Sequence, residues 1–222
     1  MNPKIELNLG DCMEAMRGME DNAFELAIVD PPYGIDVAKN GTVGVGKLAN
    51  VKDYGKKNWD KQAPNEEYFN ELIRVSKNQI VWGANHFIEN INKNSSCWIV
   101  WDKDNAGSFA DCELAYTSFN TAVRKFKYRW NGMLQEKMKN KEVRIHPTQK
   151  PVDLYKWLLT NYAEKGDKIL DTHVGSASSL IACYDLGFEY LGFELDEDYY
   201  NEACKRLEKH KSQLNMFLDF KE

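Results

Sequence analysis

Short apolar runs bounded by polar residues, Gly or Pro recur along the chain at 24–29, 79–82, 97–101, 168–170 and 190–193. They are too short for helices and rich in β-branched or aromatic side chains, which predicts buried strands. Apolar positions recur instead at helical spacing over 66–76, 152–162, 178–186 and 197–210, the last placing Tyr200, Cys204 and Leu207 on one face. Strands alternating with helices predict an α/β fold around a mainly parallel sheet. Two stretches, 36–62 and 131–150, fit neither period; the first is rich in Gly and Lys, the second polar and basic. Irregular stretches of that length in a compact domain are usually functional loops, so both are expected to contact substrate.

Composition narrows the class. With 222 residues, 43% hydrophobic and 28% charged, the chain is long enough for one or two domains with a real core. It has no run of 18 apolar residues, and Met1-Asn2-Pro3-Lys4-Ile5-Glu6 has no apolar signal core, so neither a membrane nor secretion is expected. Five scattered cysteines without a Cys-x-x-Cys pair predict reduced intracellular thiols. No His/Asp/Glu cluster has ligand spacing, so no metal is expected and a metal-dependent nuclease is disfavoured.

The net charge of −5 hides an uneven distribution. Between Arg124 and Lys150 nine Lys/Arg face only Glu136 and Glu142, interleaved with Phe126, Tyr128 and Trp130. Residues 185–202 carry seven acids and no Lys or Arg. One surface is therefore suited to phosphates while another repels them.

The run 24–29 leads into Asp30-Pro31-Pro32-Tyr33-Gly34, at the strand end where open α/β sheets bind ligands. The double proline enforces extended backbone, so Asp30 and the Pro31 carbonyl can be presented as adjacent acceptors. Two acceptors suit the two N–H donors of a nucleobase amine; holding both favours pyramidalisation and aims the lone pair at an electrophile. Tyr33 is suited to stack on an extruded base. The plainer reading is a turn with a capping Asp. Further on, Lys168-Ile169-Leu170-Asp171 leads into Thr172-His173-Val174-Gly175-Ser176-Ala177-Ser178, a strand, a tight turn and a helix start. Glu194 ends the next run about 20 residues past Gly175, the reach of an acid to a ribose in dinucleotide folds. Taken singly, Gly175 is equally an ordinary β–α turn, His173 a loop histidine and Glu194 a surface acid.

Together, Asp30-Pro31-Pro32-Tyr33, His146-Pro147-Thr148-Gln149-Lys150-Pro151, Ile169-Leu170-Asp171 with Gly175-Ser176, and Phe193-Glu194 resemble the β group of S-adenosylmethionine-dependent amino-methyltransferases of DNA. The order is the family's, catalytic motif first, recognition segment next, cofactor motifs last, and the resemblance spans nearly the whole chain. It implies a Rossmann-like methyltransferase sheet, mostly parallel and flanked by helices, with circularly permuted motifs. Residues 1–222 would form one domain with a lid at 36–62 and a small target-recognition insertion at 121–145. The implied activity is transfer of the sulfonium methyl to adenine N6 in DNA after base flipping, with Asp30, Pro31, Pro32 and Tyr33 catalytic. Cytosine N4 or an RNA adenine is the alternative within the class, and a silent nucleic-acid-binding relative the alternative outside it; family members acting on cytosine more often have Ser at the place of Asp30.

The resemblance further implies that Asp11 lies near the cofactor adenine, that Glu194 holds the ribose, and that Asp171 through His173, Gly175, Ser176 and Ser178 wraps the methionine part, with Asp30 alongside. Thr148 and Lys150 would sit near its carboxylate, where a hydroxyl and a cation make sense; the alternative is a Pro-bounded helix entry, as Asp11 is alternatively a helix N-cap. DNA is the implied partner, met by Arg124, Lys125, Lys127, Arg129, Lys139, Lys141 and Arg144 with Lys47 from the lid; an edge strand guarded by lysines is the other reading of 124–130. Homodimerisation stays open, and the expected setting is the cytoplasm of a bacterium, on host or phage DNA, beside restriction-modification systems. Two departures stand out: Asp171-Thr172-His173 where the family has Asp-Pro-Phe, and Gly175-Ser176-Ala177 where it has Gly-Ser-Gly. Gly41-Thr42-Val43-Gly44-Val45-Gly46-Lys47 imitates a phosphate-binding loop, but Leu48 stands where a magnesium-binding hydroxyl is needed.

Overall fold

The computed structural model describes residues 3–36, 39, 54–55, 57, 59–105, 110–131 and 134–219, with side chains to 213. Its elements are β1 (Ile5–Leu9), α1 (Cys12–Arg17), β2 (Phe24–Val29), α2 (Glu66–Val75), β3 (Ser76–Trp82), α3 (Ile88–Ile91), β4 (Trp98–Asp102), β5 (Cys112–Thr117), β6 (Arg124–Lys127), β7 (Trp130–Asn131), β8 (Leu134–Gln135), α4 (Val152–Tyr162), β9 (Lys168–Asp171), α5 (Ser178–Leu186), β10 (Glu189–Glu194) and α6 (Glu197–Asp219). One eight-stranded sheet runs in the order β1-β10-β9-β2-β3-β5-β4-β6. The first five strands of that order are mutually parallel, and β5 alone runs against its neighbours.

Strand periodicity explains the layers. In β2, Leu26 and Ile28 face one side with Trp82, Trp101, Leu154, Leu158 and Leu180, while Ala27 and Val29 face the other with Met16, Phe69, Leu72 and Val81. Both faces are buried, as a parallel strand at the middle of a sheet requires, and α4, α5 and α6 cover one side and α1, α2 and α3 the other. Asp11 caps α1 by accepting from the Met13 N–H at 2.8 Å, and Asn65 caps α2 at 3.1 Å.

The pattern 131–150 is not wholly irregular: it holds β8, which pairs antiparallel with β7, and a 3-10 turn at Met138–Asn140. Of 36–62, only the short pieces named above are described, and both Lys47 and the glycine-rich stretch 41–47 lie outside the described residues.

Candidate functional site

The carboxyl ends of β1, β10, β9, β2 and β3 line one edge of the sheet, with β2 and β9 neighbours through Leu26↔Ile169 and Ala27↔Leu170. Asp30, Asp171 and Glu194 are thereby brought to one side of the molecule from places up to 164 residues apart in sequence. Asp30 leaves β2 into the double proline, and the turn is pinned from behind: the N–H groups of Tyr33 and Gly34 both donate to Asp60 Oδ1, at 2.8 and 3.0 Å. Asp60 is buried. The Tyr33 hydroxyl donates to Asp30 Oδ1 at 2.8 Å. Its ring lies parallel to His86, centroids 4.9 Å apart, so the face expected to receive a base is here stacked on a side chain.

The other oxygen of Asp30 takes a cation. Lys150 Nζ lies 2.5 Å from Asp30 Oδ2 and 3.2 Å from the Tyr33 hydroxyl, and it is almost fully buried. Glu113, on β5, places Oε2 3.0 Å from the same ammonium, and Lys103 closes on its other oxygen. Burial pushes the Asp30 carboxyl up from its ordinary value, and Lys150 opposes that push. Burial would also raise Glu113, but Lys150 and Lys103 together hold it at about 2. Lys150 is held protonated against its burial by the two carboxylates. The cation expected beside a ligand's carboxylate is therefore committed, in this state, to Asp30 and Glu113.

Beyond β9 a second cluster forms. Burial raises Asp171 to about 7 even though its oxygens accept from the His173 N–H at 3.0 Å and the Ser179 hydroxyl at 2.6 Å. Glu194, also raised by burial, accepts from the N–H groups of Gly175 and Asp196 at 2.8 and 2.9 Å. Gly175 has a left-handed φ of 53°, with the His146 ring 3.6 Å from where a Cβ would be. Burial holds His146 at about 3 and His173 at about 4, so both rings are neutral near pH 7. At the Thr172-His173 step, Thr172 bonds Tyr68 of α2 at 2.6 Å and His173 at 2.9 Å, which makes this wall polar. Thr148 bonds the His146 ring at 3.1 Å.

Ser178 departs from expectation. Its hydroxyl donates to the Lys150 carbonyl at 2.7 Å and meets Ser176 Oγ at 3.1 Å, while Arg206 donates to both Ser178 and the Ser176 carbonyl. It clips the 146–151 segment to the start of α5, with its oxygen spent on protein partners. From the loop side, Lys57 pairs with Asp196 and Asp198, and Trp59 packs 5.0 Å from His146.

The basic residues divide into two groups. From the edge strand β6 through to the start of β7 the alternation holds, with Phe126, Tyr128 and Trp130 more buried and Lys125, Lys127 and Arg129 exposed. Those three exposed cations are already paired, Lys125 with Asp102, and Lys127 and Arg129 with Asp104. Arg144 is half-buried, its guanidinium 4.7 Å from the Trp130 ring, so the aromatic face holds the cation against the protein. Arg124, Lys139 and Lys141 are exposed.

Sequence reasoning missed Glu113, Lys103, Asp60 and Gly83. Each lies outside any recognisable motif, and Glu113 sits on a strand whose Cys-Glu-Leu-Ala-Tyr-Thr composition carries little strand signal. Among the described residues no three His, Cys, Asp or Glu are placed to hold a metal ion, and no helix is long and apolar enough to cross a membrane.

The family model described as DNA methylase matches residues 98–205. The type II methyltransferase M2.DpnII of Streptococcus pneumoniae is 26% identical, over 92% of this chain and 90% of that protein. M2.LlaDCHI of Lactococcus lactis subsp. cremoris is 29% identical, over 90% and 87%. Among solved structures, M1.HpyAVI in complex with SAM aligns with a TM-score of 0.56 at 20% identity, covering 91% of this chain and 98% of that one. The PvuII DNA methyltransferase, titled cytosine-N4-specific, aligns at 0.59 and 12% identity, covering 98% and 94%. Both structural likenesses speak to the fold.

Proposed function

We propose that the chain, similar to DNA methylases in its family-model match and in its type II methyltransferase relatives, uses S-adenosylmethionine to methylate the N6 amine of an adenine flipped out of the helix. What carries the reading is Asp30, a largely buried carboxylate at the end of β2, oriented by the Tyr33 hydroxyl and adjacent to the Pro31 carbonyl. A carboxylate and a carbonyl side by side accept both N–H groups of the amine and turn its lone pair out of the ring plane. The lone pair would form the new N–C bond as the methyl's C–S bond breaks and the sulfur leaves as a neutral thioether, and the acidified nitrogen would shed its proton to water, with Asp30 serving as acceptor more than as strong base.

The second cluster fits the cofactor, which supplies an electrophilic methyl group on a cationic sulfur. Asp171 and Glu194 are buried acids raised above their ordinary range for want of a positive partner, which suits a ligand bearing positive charge and hydroxyls. Glu194 is read as the ribose acceptor and Asp11 as a neighbour of the adenine. Asp171, His173, Gly175 and Ser176 are read as the wall around the methionine part, with Thr148 at its rim. Segment 36–62 is read as the lid and 121–145 as the target-recognition piece, with Arg124, Lys139 and Lys141 meeting phosphates.

Labelled-methyl transfer to unmodified DNA followed by nucleoside analysis tests the reading. Label in N6-methyldeoxyadenosine supports it; label in N4-methyldeoxycytidine overturns the choice of base, and no label overturns the enzyme. Asp30→Ala is expected to abolish transfer while keeping the fold and most cofactor binding, since Lys150 retains Glu113.

A further inference from the structure

The resting site has a conflict built into it. Both oxygens of Asp30 are taken, Oδ1 by the Tyr33 hydroxyl and Oδ2 by the Lys150 ammonium. A target amine that needs Oδ2 must displace a buried cation, and a buried cation cannot simply lose its partner. The structure provides a second seat. Glu113 Oε2 already lies 3.0 Å from Lys150 Nζ, and an ammonium has three protons, so it holds Asp30 and Tyr33 while facing Glu113 with the third. That oxygen is a buried, charged acceptor whose one cationic neighbour among the described residues is this ammonium. Lys103 on the far oxygen of Glu113 keeps that carboxylate in place and ionised.

We propose that Glu113 is a positioning residue for methyl transfer, taking the Lys150 ammonium from Asp30 as the exocyclic amine docks. A small swing of the Lys150 side chain gives up the Asp30 bond and tightens the existing Glu113 contact, so the cation stays paired throughout and Asp30 Oδ2 is freed for the substrate. No covalent bond changes in this exchange, and no proton leaves the lysine. Until a base arrives, the ammonium fills the seat of the amine and excludes a competing cation or water. The proposal rests on the reading that an exocyclic amine binds at Asp30; it holds for adenine or cytosine alike.

The test compares the wild-type chain with Glu113→Gln, which keeps the shape and removes the charge, and Glu113→Asp, which keeps the charge. Glu113→Gln is expected to cut kcat at least about tenfold near pH 7 while cofactor affinity, by calorimetry, changes less than about threefold. This split between rate and cofactor affinity is one that a merely structural role would not give. Glu113→Asp is expected to recover part of the rate. Independently of turnover, oligonucleotides carrying the target base or an abasic site are compared by anisotropy with S-adenosylhomocysteine present. The wild-type chain is expected to prefer the base, and Glu113→Gln to lose that preference. A Glu113→Gln variant with wild-type kcat and base preference, or one whose cofactor affinity falls as far as its kcat, overturns the proposal while leaving the amine reading intact. A wild-type chain without transfer or base preference overturns both.

Discussion

The ring of Tyr33 lies against the bare backbone of Gly83, so close that a Cβ there would stand 2.1 Å from Tyr33 Cε1. Gly83 also adopts a left-handed φ of 68° at the end of β3. Gly83→Ala therefore combines backbone strain with a collision against a ring that His86 holds from the side. The expected outcome is a loss of about 2 kcal/mol or more in urea unfolding and a collapse of methyl transfer, because Tyr33 can no longer orient Asp30. Wild-type stability and rate in this variant would mean that Tyr33 readily adopts another position.

Ala177 makes the opposite case. It stands at φ 64°, ψ 21°, fully buried and immediately before α5, a backbone conformation that favours glycine. An L residue in that region costs about 1 kcal/mol relative to Gly. Ala177→Gly is expected to raise the urea midpoint by the equivalent of about 0.5 to 1 kcal/mol, after allowing for the greater freedom of glycine in the unfolded chain. A lowered midpoint would show that the Cβ contributes more through packing than it costs in strain.

How much of this was readable beforehand differs between fold and site. The strand at 24–29 and the helices at 152–162 and 178–186 coincide with β2, α4 and α5, since each carries an uninterrupted apolar period between clear stops. β1 was passed over although Ile5-Glu6-Leu7-Asn8-Leu9 alternates cleanly, because it is short and half-exposed at the sheet edge. The Asp30 and Glu194 motifs were visible because their chemistry is local in sequence. The partners of Lys150 were not, because Glu113 reaches it through the sheet, by the antiparallel placement of β5 beside β3, which no local pattern encodes.

Asp171 sets a pH dependence whose sign follows from burial. Its folded value of about 7 lies above the unfolded value, so the native state binds the extra proton between roughly pH 4 and pH 7, and its contribution to stability falls as pH rises through that window. A positively charged ligand beside it lowers the folded value and expels the proton. Calorimetric titration with S-adenosylmethionine at about pH 6 to 7 is expected to show a heat that varies with the ionisation enthalpy of the buffer, equivalent to release of up to about one proton. A heat independent of buffer would place the cofactor's charge away from Asp171.

For DNA, the internal pairing of Lys127 with Asp104 predicts unequal effects among neighbouring cations. Arg124→Ala is expected to weaken DNA binding and reduce the salt slope of the binding constant by about 0.9, the release of one phosphate's counterion. Lys127→Ala, which leaves Arg129 on the same carboxylate, is expected to change that slope much less. Equal slopes for the two variants would mean that the ion pairs of β6 open on DNA.

The seam between β2 and β9 has a consequence for biosynthesis. β9 lies between β10 and β2 in the finished sheet, yet it emerges well over a hundred residues after β2. Strands that wait so long for their neighbours assemble late and slowly. A ribosome that has delivered the whole first half has therefore produced Asp30 without β9 and β10, so the carboxylates of Asp171 and Glu194 can join it only when the last quarter of the chain has been made.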